Sequence, residues 1–277
     1  MALVAVAHTI ATVGHPIASV ALVCDTVGHT IATEVHPWRR GLVVRQLGLD
    51  ATVPQYEFGI IASMCVHDYS RIKRAEFEER FAAKLVPGLE QLDEERWPKG
   101  DRTTVIRLES GERVTEQISW GLVPGWQKDI KKRPQNARCE TVTELPTFRE
   151  AFAKRRCLLP ASGFYEHDQF GSTRRKAQYK ISLIDEEPYA CAGIWDFHPD
   201  VGHSCTMITC SANSLILQIH PRMPVILDPK DYEAWLDPKT SRENLLAMLK
   251  PYPSEKMVIE MVVERDDNGL FGDEFSG

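Results

Sequence analysis

Met64-Cys65 sets a cysteine directly after an internal methionine. Were the chain to start at Met64 and lose that residue, Cys65 would present a free α-amine and a thiol on adjacent carbons. Such a pair condenses with an aldehyde: the amine forms an imine, and the thiol closes a five-membered thiazolidine. A cysteine within the chain has only its thiol. An α-amine titrates at about 7.7–8.0, so an appreciable fraction is neutral and nucleophilic near neutrality without a distant lysine.

Three further islands carry groups that could move protons or hold charge. Glu166 follows Pro160-Ala161-Ser162-Gly163-Phe164-Tyr165, and a carboxyl group beside aromatic walls suits proton transfer in both directions near neutrality. His220 ends the apolar run Leu215-Ile216-Leu217-Gln218-Ile219 and precedes Pro221-Arg222-Met223-Pro224, a place for a proton shuttle held by a stiff turn. Asn136 and Arg138, within Asn136-Ala137-Arg138-Cys139-Glu140, offer an amide with both donor and acceptor and a guanidinium fork, a combination suited to a phosphate and a sugar edge. Singly, each has a plain structural reading: a helix cap, a solvated arginine, an exposed glutamate, a packed histidine, a buried thiol.

The elements that must hold these residues are mixed. Tyr69 to Lys84 spaces Ile72, Ala75, Phe77, Phe81 and Ala82 as a helix with charged outer positions. Thr103–Leu108 and Arg113–Trp120 flank Ser110-Gly111 and read as a hairpin. Thr147–Lys154 reads as a short helix, Arg156–Pro160 as a buried strand, and Ala177–Leu183, Tyr189–Ile194 and Cys205–Cys210 as further strands. Pro229–Leu236 and Ser241–Leu249 read as helices. Strands that do not alternate regularly with helices point to an α+β fold and away from a doubly wound sheet.

Of the 277 residues, Asp and Glu number 39 and Lys and Arg 33, for a net charge of −6. That balance argues against a protein that coats nucleic acid indiscriminately, and it leaves room for a local basic groove. Lys131-Lys132-Arg133, Arg155-Arg156 and Arg174-Arg175-Lys176 are the candidate basic patches. Seven cysteines with no Cys-x-x-Cys pair read as reduced thiols in a cytoplasmic setting. Cys205 and Cys210 lie an odd number of positions apart in a strand-like stretch, on opposite faces, and no metal site or cofactor is expected.

Residues 1–63 differ from the rest. They contain no Lys, their basic residues are Arg39, Arg40 and Arg45, and His-Thr-Ile-Ala-Thr at His8–Thr12 recurs at His29–Thr33 without the regular phase of a repeat protein. His8, His15-Pro16 and Asp25 interrupt any signal-like apolar run, and no window reaches about 18 continuous apolar residues. The expectation is a poorly ordered extension, from a start placed too early or a leader removed before function. A working domain over 64–265 and a loose acidic tail over 266–277 would follow it.

Taken together, Met64-Cys65, Trp120-Gly121-Leu122-Val123-Pro124-Gly125-Trp126, the Asn136–Glu140 and Pro160–Glu166 segments, Ala192-Gly193-Ile194-Trp195 and His220–Leu227 resemble the SOS response-associated peptidase family, the abasic-site processing proteins. The likeness runs from Met64 to about Leu236. It implies an α+β fold with a mixed, mainly antiparallel barrel-like β core, flanking helices and a positively charged channel for single-stranded DNA. It implies that Cys65, once N-terminal, traps the open-ring aldehyde of an abasic site as a thiazolidine in the DNA damage response. By the same likeness Asn136 orients the amine or sugar, Glu166 acts as acid and base, His220 assists ring opening or proton transfer, and Arg138 holds a phosphate. Trp120, Pro124 and Trp126 fall in the family's DNA-facing loop, Arg222 follows the catalytic His, and Pro98 would act as a wedge beside the DNA. The partner implied is single-stranded DNA with abasic sites, met by a monomer in the cytoplasm at the nucleoid, with no membrane.

The chain also departs from the family pattern. Val66 and His67 stand where Gly-Arg usually follows the Cys, which leaves His67 as a weaker phosphate donor. Arg96-Trp97-Pro98-Lys99-Gly100 replaces an Asn-x-Ala-Pro segment, and His167 stands where Trp is common. Two other readings stay open: a thiol peptidase or self-processing hydrolase using Cys65, as the family name records, and a non-catalytic module for single-stranded DNA, which Val66-His67 favours.

Overall fold

In the computed structural model, residues 19–24, 30–38, 41–47, 67–96, 101–170 and 177–262 are described. In chain order the strands are β1 (Ser19–Cys24), β2 (Thr30–Trp38), β3 (Gly41–Leu47), β4 (His67–Lys73), β5 (Gln91–Arg96), β6 (Arg102–Glu109), β7 (Glu112–Trp120) and β8 (Asn136–Arg138). They continue with β9 (Arg156–Ala161), β10 (Gly163–His167), β11 (Gln178–Leu183), β12 (Tyr189–His198), β13 (Gly202–Ser211), β14 (Arg222–Pro224), β15 (Ile226–Leu227) and β16 (Met257–Val262). The helices are α1 (Arg74–Phe81), α2 (Arg149–Lys154), α3 (Tyr232–Leu236) and α4 (Arg242–Met248).

Five strands close a barrel. β7 runs antiparallel to β6, β6 to β9, β9 to β12 and β12 to β13, and β13 returns parallel to β7 through Ser204↔Ser119 and Cys205↔Trp120. Closure leaves no unpaired edge inside the core. The β6–β7 hairpin turns on Ser110 and Gly111, with φ of 52° and 87°. Positive φ at both central residues is the turn whose twist matches the strands, and Gly111 takes it without a steric penalty. β9 is buried at all six positions, because α3 and β4 pack against it as well as its ladder neighbours.

The second sheet runs β1-β2-β3-β16-β11-β10-β4-β5. The chain passes from the barrel to this sheet at Ser162, between β9 and β10. Ser162 N–H donates to the Tyr69 carbonyl at 2.8 Å, its Oγ accepts from Arg71 N–H at 2.9 Å, and Ser70 Oγ donates to the Pro160 carbonyl at 2.7 Å. Gly163 lies where β4 and β11 crowd β10: a Cβ there would sit 2.5 Å from the Ile181 carbonyl oxygen and from Tyr69 Oη. This corner aims β10, and therefore Glu166.

The α+β class, the mainly antiparallel barrel-like core and the flanking helices are as the sequence implied. The hairpin and β9 lie where read, and so do α2, the 3-10 turn Pro229–Asp231 with α3, and α4 behind its Ser241 cap. The helix read from Tyr69 needs correction: residues 67–73 are strand, and α1 starts at Arg74. Buried Ile72 between exposed Arg71 and Lys73 is the alternation of a strand with one solvated face. Among the described residues, the stretch before Ser63 contributes β1, β2 and β3, which join the sheet through the antiparallel pairing of β3 with β16.

One buried cation ties helices to the barrel. Arg156, 3% exposed, donates from Nε to the Trp235 carbonyl, from Nη1 to those of Phe152 and Ala153, and from Nη2 to that of Asp237, each at 2.7 Å. These carbonyls lie in the last turn or C-cap of α2 and α3, which have no partners within their own helices. Burial pulls the guanidinium below its usual range, opposed by the charge of Asp237. Arg156→Met is expected to destabilise the fold by about 3–5 kcal/mol, since it strands buried carbonyls. A urea midpoint within error of the parent's would contradict this account.

Candidate functional site

The far half of β13 organises the motifs. Along Gly202–Met207 its one edge pairs with β12, and at Ser204–Cys205 its other edge meets β7. Beyond that both partners leave. β8 takes the place of β7, in parallel register Met207↔Asn136, Ile208↔Ala137, Thr209↔Arg138, and β14 takes the place of β12 through Thr209↔Pro224, Cys210↔Met223 and Ser211↔Arg222. Val225 wedges between the parted strands: its N–H donates to the Ile208 carbonyl and its carbonyl accepts from Ala192 N–H, at 2.9 and 2.8 Å. Asn136, Arg138 and Arg222 thereby flank one strand.

Alternation along β8 buries Ala137 and leaves Asn136 and Arg138 half-buried on the other face. Arg222 donates to both carboxylate oxygens of Glu140, at 3.0 Å from Nη2, and to the Thr209 carbonyl at 2.7 Å. Burial alone would raise the Glu140 carboxyl, but the hydrogen bonds and charge of Arg222 outweigh it and hold it below its usual range. Arg222 is thus spent on Glu140. Among the described residues, no hydrogen bond or ion pair engages the Arg138 guanidinium.

Glu166 and His220 meet from separate segments. Gln169 N–H donates to the Ile219 carbonyl at 2.9 Å, which fastens the chain after β10 to the turn before His220. His220 Nδ1 lies 3.8 Å from Glu166 Oε2, and the residues are only 1% and 6% exposed. Glu166 Oε1 also accepts from His167 N–H at 3.1 Å. His220 Nδ1 sits 2.9 Å from the Arg222 carbonyl oxygen and 3.1 Å from its amide nitrogen. With the proton on Nδ1 the ring donates to the carbonyl; with the proton on Nε2 it accepts from the amide. One residue holds the ring in either tautomer, so the proton can change nitrogen without the ring moving.

Asn213, which the motif reading passed over, positions this histidine. Its Oδ1 accepts from Ile216 N–H at 2.9 Å and its Nδ2 donates to the Tyr252 carbonyl at 2.8 Å. It thus closes the turn through Ser214 and Leu215 that leads into the 3-10 segment Ile216–Gln218 and towards His220, and ties that turn to the C-terminal segment. The signal was present: an Asn just after a strand favours a turn closed by its own side chain.

A sequence model of the SOS response associated peptidase (SRAP) family matches residues 64–266. The chain belongs to this family. Among its relatives, the abasic site processing proteins YoqW and YoaM of Bacillus subtilis (strain 168) are 36% and 39% identical to it over 167 residues, which cover 58% of this chain and 74% and 73% of theirs. The abasic site processing protein HMCES of Gallus gallus is 32% identical over 157 residues, 47% of either chain. Solved structures of proteins from Bacteroides thetaiotaomicron and Bordetella bronchiseptica superpose with a TM-score of 0.61 each, at 26% and 27% identity, over 72% of this chain and 92% and 100% of theirs.

The remaining expected SRAP residues divide sharply. Cys65 and Pro98 lie outside the described residues, as does Arg174-Arg175-Lys176. Trp120 is corrected from a DNA-facing side chain to a core one: it ends β7 and is fully enclosed. Pro124 is buried too, whereas Trp126 is 60% exposed. His67 packs against Tyr165 in a tilted pair with ring centroids 4.8 Å apart and places Nε2 3.3 Å from Glu95, so a carboxylate already occupies the edge expected to meet phosphate. Arg155 pairs with Asp196 at 3.1 Å and Arg156 is buried, which removes that patch as a DNA contact. Arg133 folds back onto the Ile130 carbonyl and Ser119, leaving Lys131 and Lys132 exposed. Among the described residues, no helix is long and apolar enough to cross a membrane.

The Glu140–Arg222 link makes the site's stability depend on acid. Glu140 titrates lower when folded than when unfolded, so its stabilisation is fully present above the ordinary carboxyl range. It is lost as pH falls through the depressed folded value. Half exposure of Glu140 limits the link to about 1 kcal/mol. Urea midpoints of the parent and Glu140→Gln should differ near neutrality and converge as pH falls below the ordinary carboxyl range; a gap that persists in acid would argue against the ion pair.

Proposed function

We propose that this protein processes abasic sites in single-stranded DNA by covalent capture, with Cys65 as the reacting residue once it is the N-terminus. The observation that carries this reading is the buried Glu166–His220 pair at 3.8 Å beside the strand that starts two residues after Cys65. His67 lies opposite Tyr165, the residue before Glu166, and chain connectivity keeps the Cys65 Cα within about 7 Å of that of His67. The family membership supports the same reading, since YoqW, YoaM and HMCES are named abasic site processing proteins.

The chemistry runs in balanced steps. His220, held in either tautomer, moves the proton that lets the closed deoxyribose open to its aldehyde. The α-amine of Cys65 adds to the aldehyde carbon, and Glu166 as acid gives a proton to the departing hydroxyl, so that water leaves and an imine remains. The Cys65 thiol adds to the same carbon, its proton passes to the nitrogen, and the ring closes as a thiazolidine. Consuming the imine removes the group that acidifies C2′, which protects the strand from β-elimination. Asn136 orients the amine or sugar, and Arg138, whose fork no described carboxylate occupies, holds a phosphate. Trp126 offers an exposed ring for base stacking.

The working unit in this proposal is residues 64–265, with 1–63 absent or removed and 266–277 as a tail. Among the described residues, loss of β1–β3 would break the β3–β16 ladder and leave the run β16-β11-β10-β4-β5 in place.

A chain starting at Cys65, mixed with a single-stranded oligonucleotide bearing one abasic site, is expected to give a heat-stable adduct lighter than its parts by one water. Cys65→Ala should abolish it, and Glu166→Gln should slow it by about 10²–10⁴-fold. Salt-sensitive binding with no adduct would select a non-catalytic binding module. Equally fast adduct formation by a chain that keeps residues 1–64 would sink the role of the terminal amine. Arg138→Ala should weaken binding across sequences and lower the salt slope by about one.

A further inference from the structure

Two cysteines face each other across the β8–β13 ladder, outside the chemistry just described. The parallel register Ile208↔Ala137 and Thr209↔Arg138 extends one step further, because Cys139 N–H donates to the Thr209 carbonyl at 2.9 Å. That step sets Cys139 opposite Cys210. Opposed residues of a ladder project to the same face, and strands lie about 4.8 Å apart, within the roughly 4.4–6.8 Å between Cα atoms that a disulfide spans. Both thiols are free, Cys139 half-buried and Cys210 buried. Burial pushes both up, Cys210 to about 12; after burial, the largest influence on Cys210 is Cys139, and that on Cys139 is Glu140. The sulfurs are therefore electrostatic neighbours as well as register partners.

We propose that Cys139 and Cys210 are a redox modification site that peroxide closes to a disulfide and thiols reopen. Cys139 reacts first because solvent reaches it, whereas Cys210 is buried. Its sulfur attacks one peroxide oxygen, the O–O bond breaks, and Cys139 becomes a sulfenic acid as water leaves. The Cys210 sulfur then attacks the Cys139 sulfur, and the hydroxyl departs with the Cys210 proton as a second water. Two thiols lose two electrons and peroxide gains them. The upward shifts make the first step slow, so the site responds to sustained peroxide, not to traces. The bond would staple β8, the three-residue strand that carries Asn136 and Arg138, to β13.

The test uses the full chain, reduced and then exposed to hydrogen peroxide, with remaining thiols alkylated under denaturing conditions before digestion. The expected result is a peptide joining Cys139 to Cys210, lighter by two hydrogens than the separate peptides and released by a reductant. With Cys210→Ala, Cys139 should accumulate oxygen instead, because nothing resolves its sulfenic acid. Three outcomes would each overturn the proposal: both thiols alkylated after oxidation, oxygen gain at Cys139 in the parent without linkage, or Cys139 joined to Cys65 in place of Cys210. The parent digest decides the matter even if the variant does not fold.

Discussion

The site depends on one strand changing partners halfway along. β13 closes the barrel with β12 and β7 over its first half, and then hands both edges to short segments, β8 and β14, that bear the polar residues. A barrel strand must have its backbone groups paired on both sides. Where β7 and β12 depart, some chain has to supply N–H and C=O groups, and β8, Val225 and β14 meet that requirement. The side chains of Asn136, Arg138 and Arg222 ride on pieces whose backbones are needed to complete the ladder, which fixes them more firmly than a loop would.

Buried polar side chains occur in two settings. Arg156 faces only carbonyl oxygens and closes two short helices against β9, a structural use that its position beside Arg155 in the sequence disguised as a basic patch. Glu166 and His220 are enclosed with a polar neighbour each and with one another. Taking such groups out of water is unfavourable unless polar partners compensate, and here the His167 amide, the Arg222 backbone and the pair itself supply them.

What could be read from the sequence followed the range of the interaction concerned. The Ser110-Gly111 turn and the run of β9 depend on neighbours within a few residues, and both were legible. The strand at 67–73 was masked because Ala75, Phe77 and Phe81 of the next element extend a helical spacing backward over Ile72. β8 has three residues and no periodicity to detect; it is a strand only because β13 lies beside it. Trp120 and Trp126 share one motif and look alike in sequence, yet one ends a barrel strand and the other tips a loop. The motif residues themselves were recognisable as types, while their convergence, such as Arg222 on Glu140 across 82 positions, is a property of topology alone.

That span has a consequence for the protein during its own synthesis. Asn136, Arg138 and Glu140 leave the ribosome well before β13, and Arg222 follows β13, so the ladder that orients them is completed only when the last fifth of the chain emerges. Parallel pairing of distant segments is slow to form. The pairing of β8 with β13 and the Arg222–Glu140 link are therefore among the last contacts that a nascent chain can form.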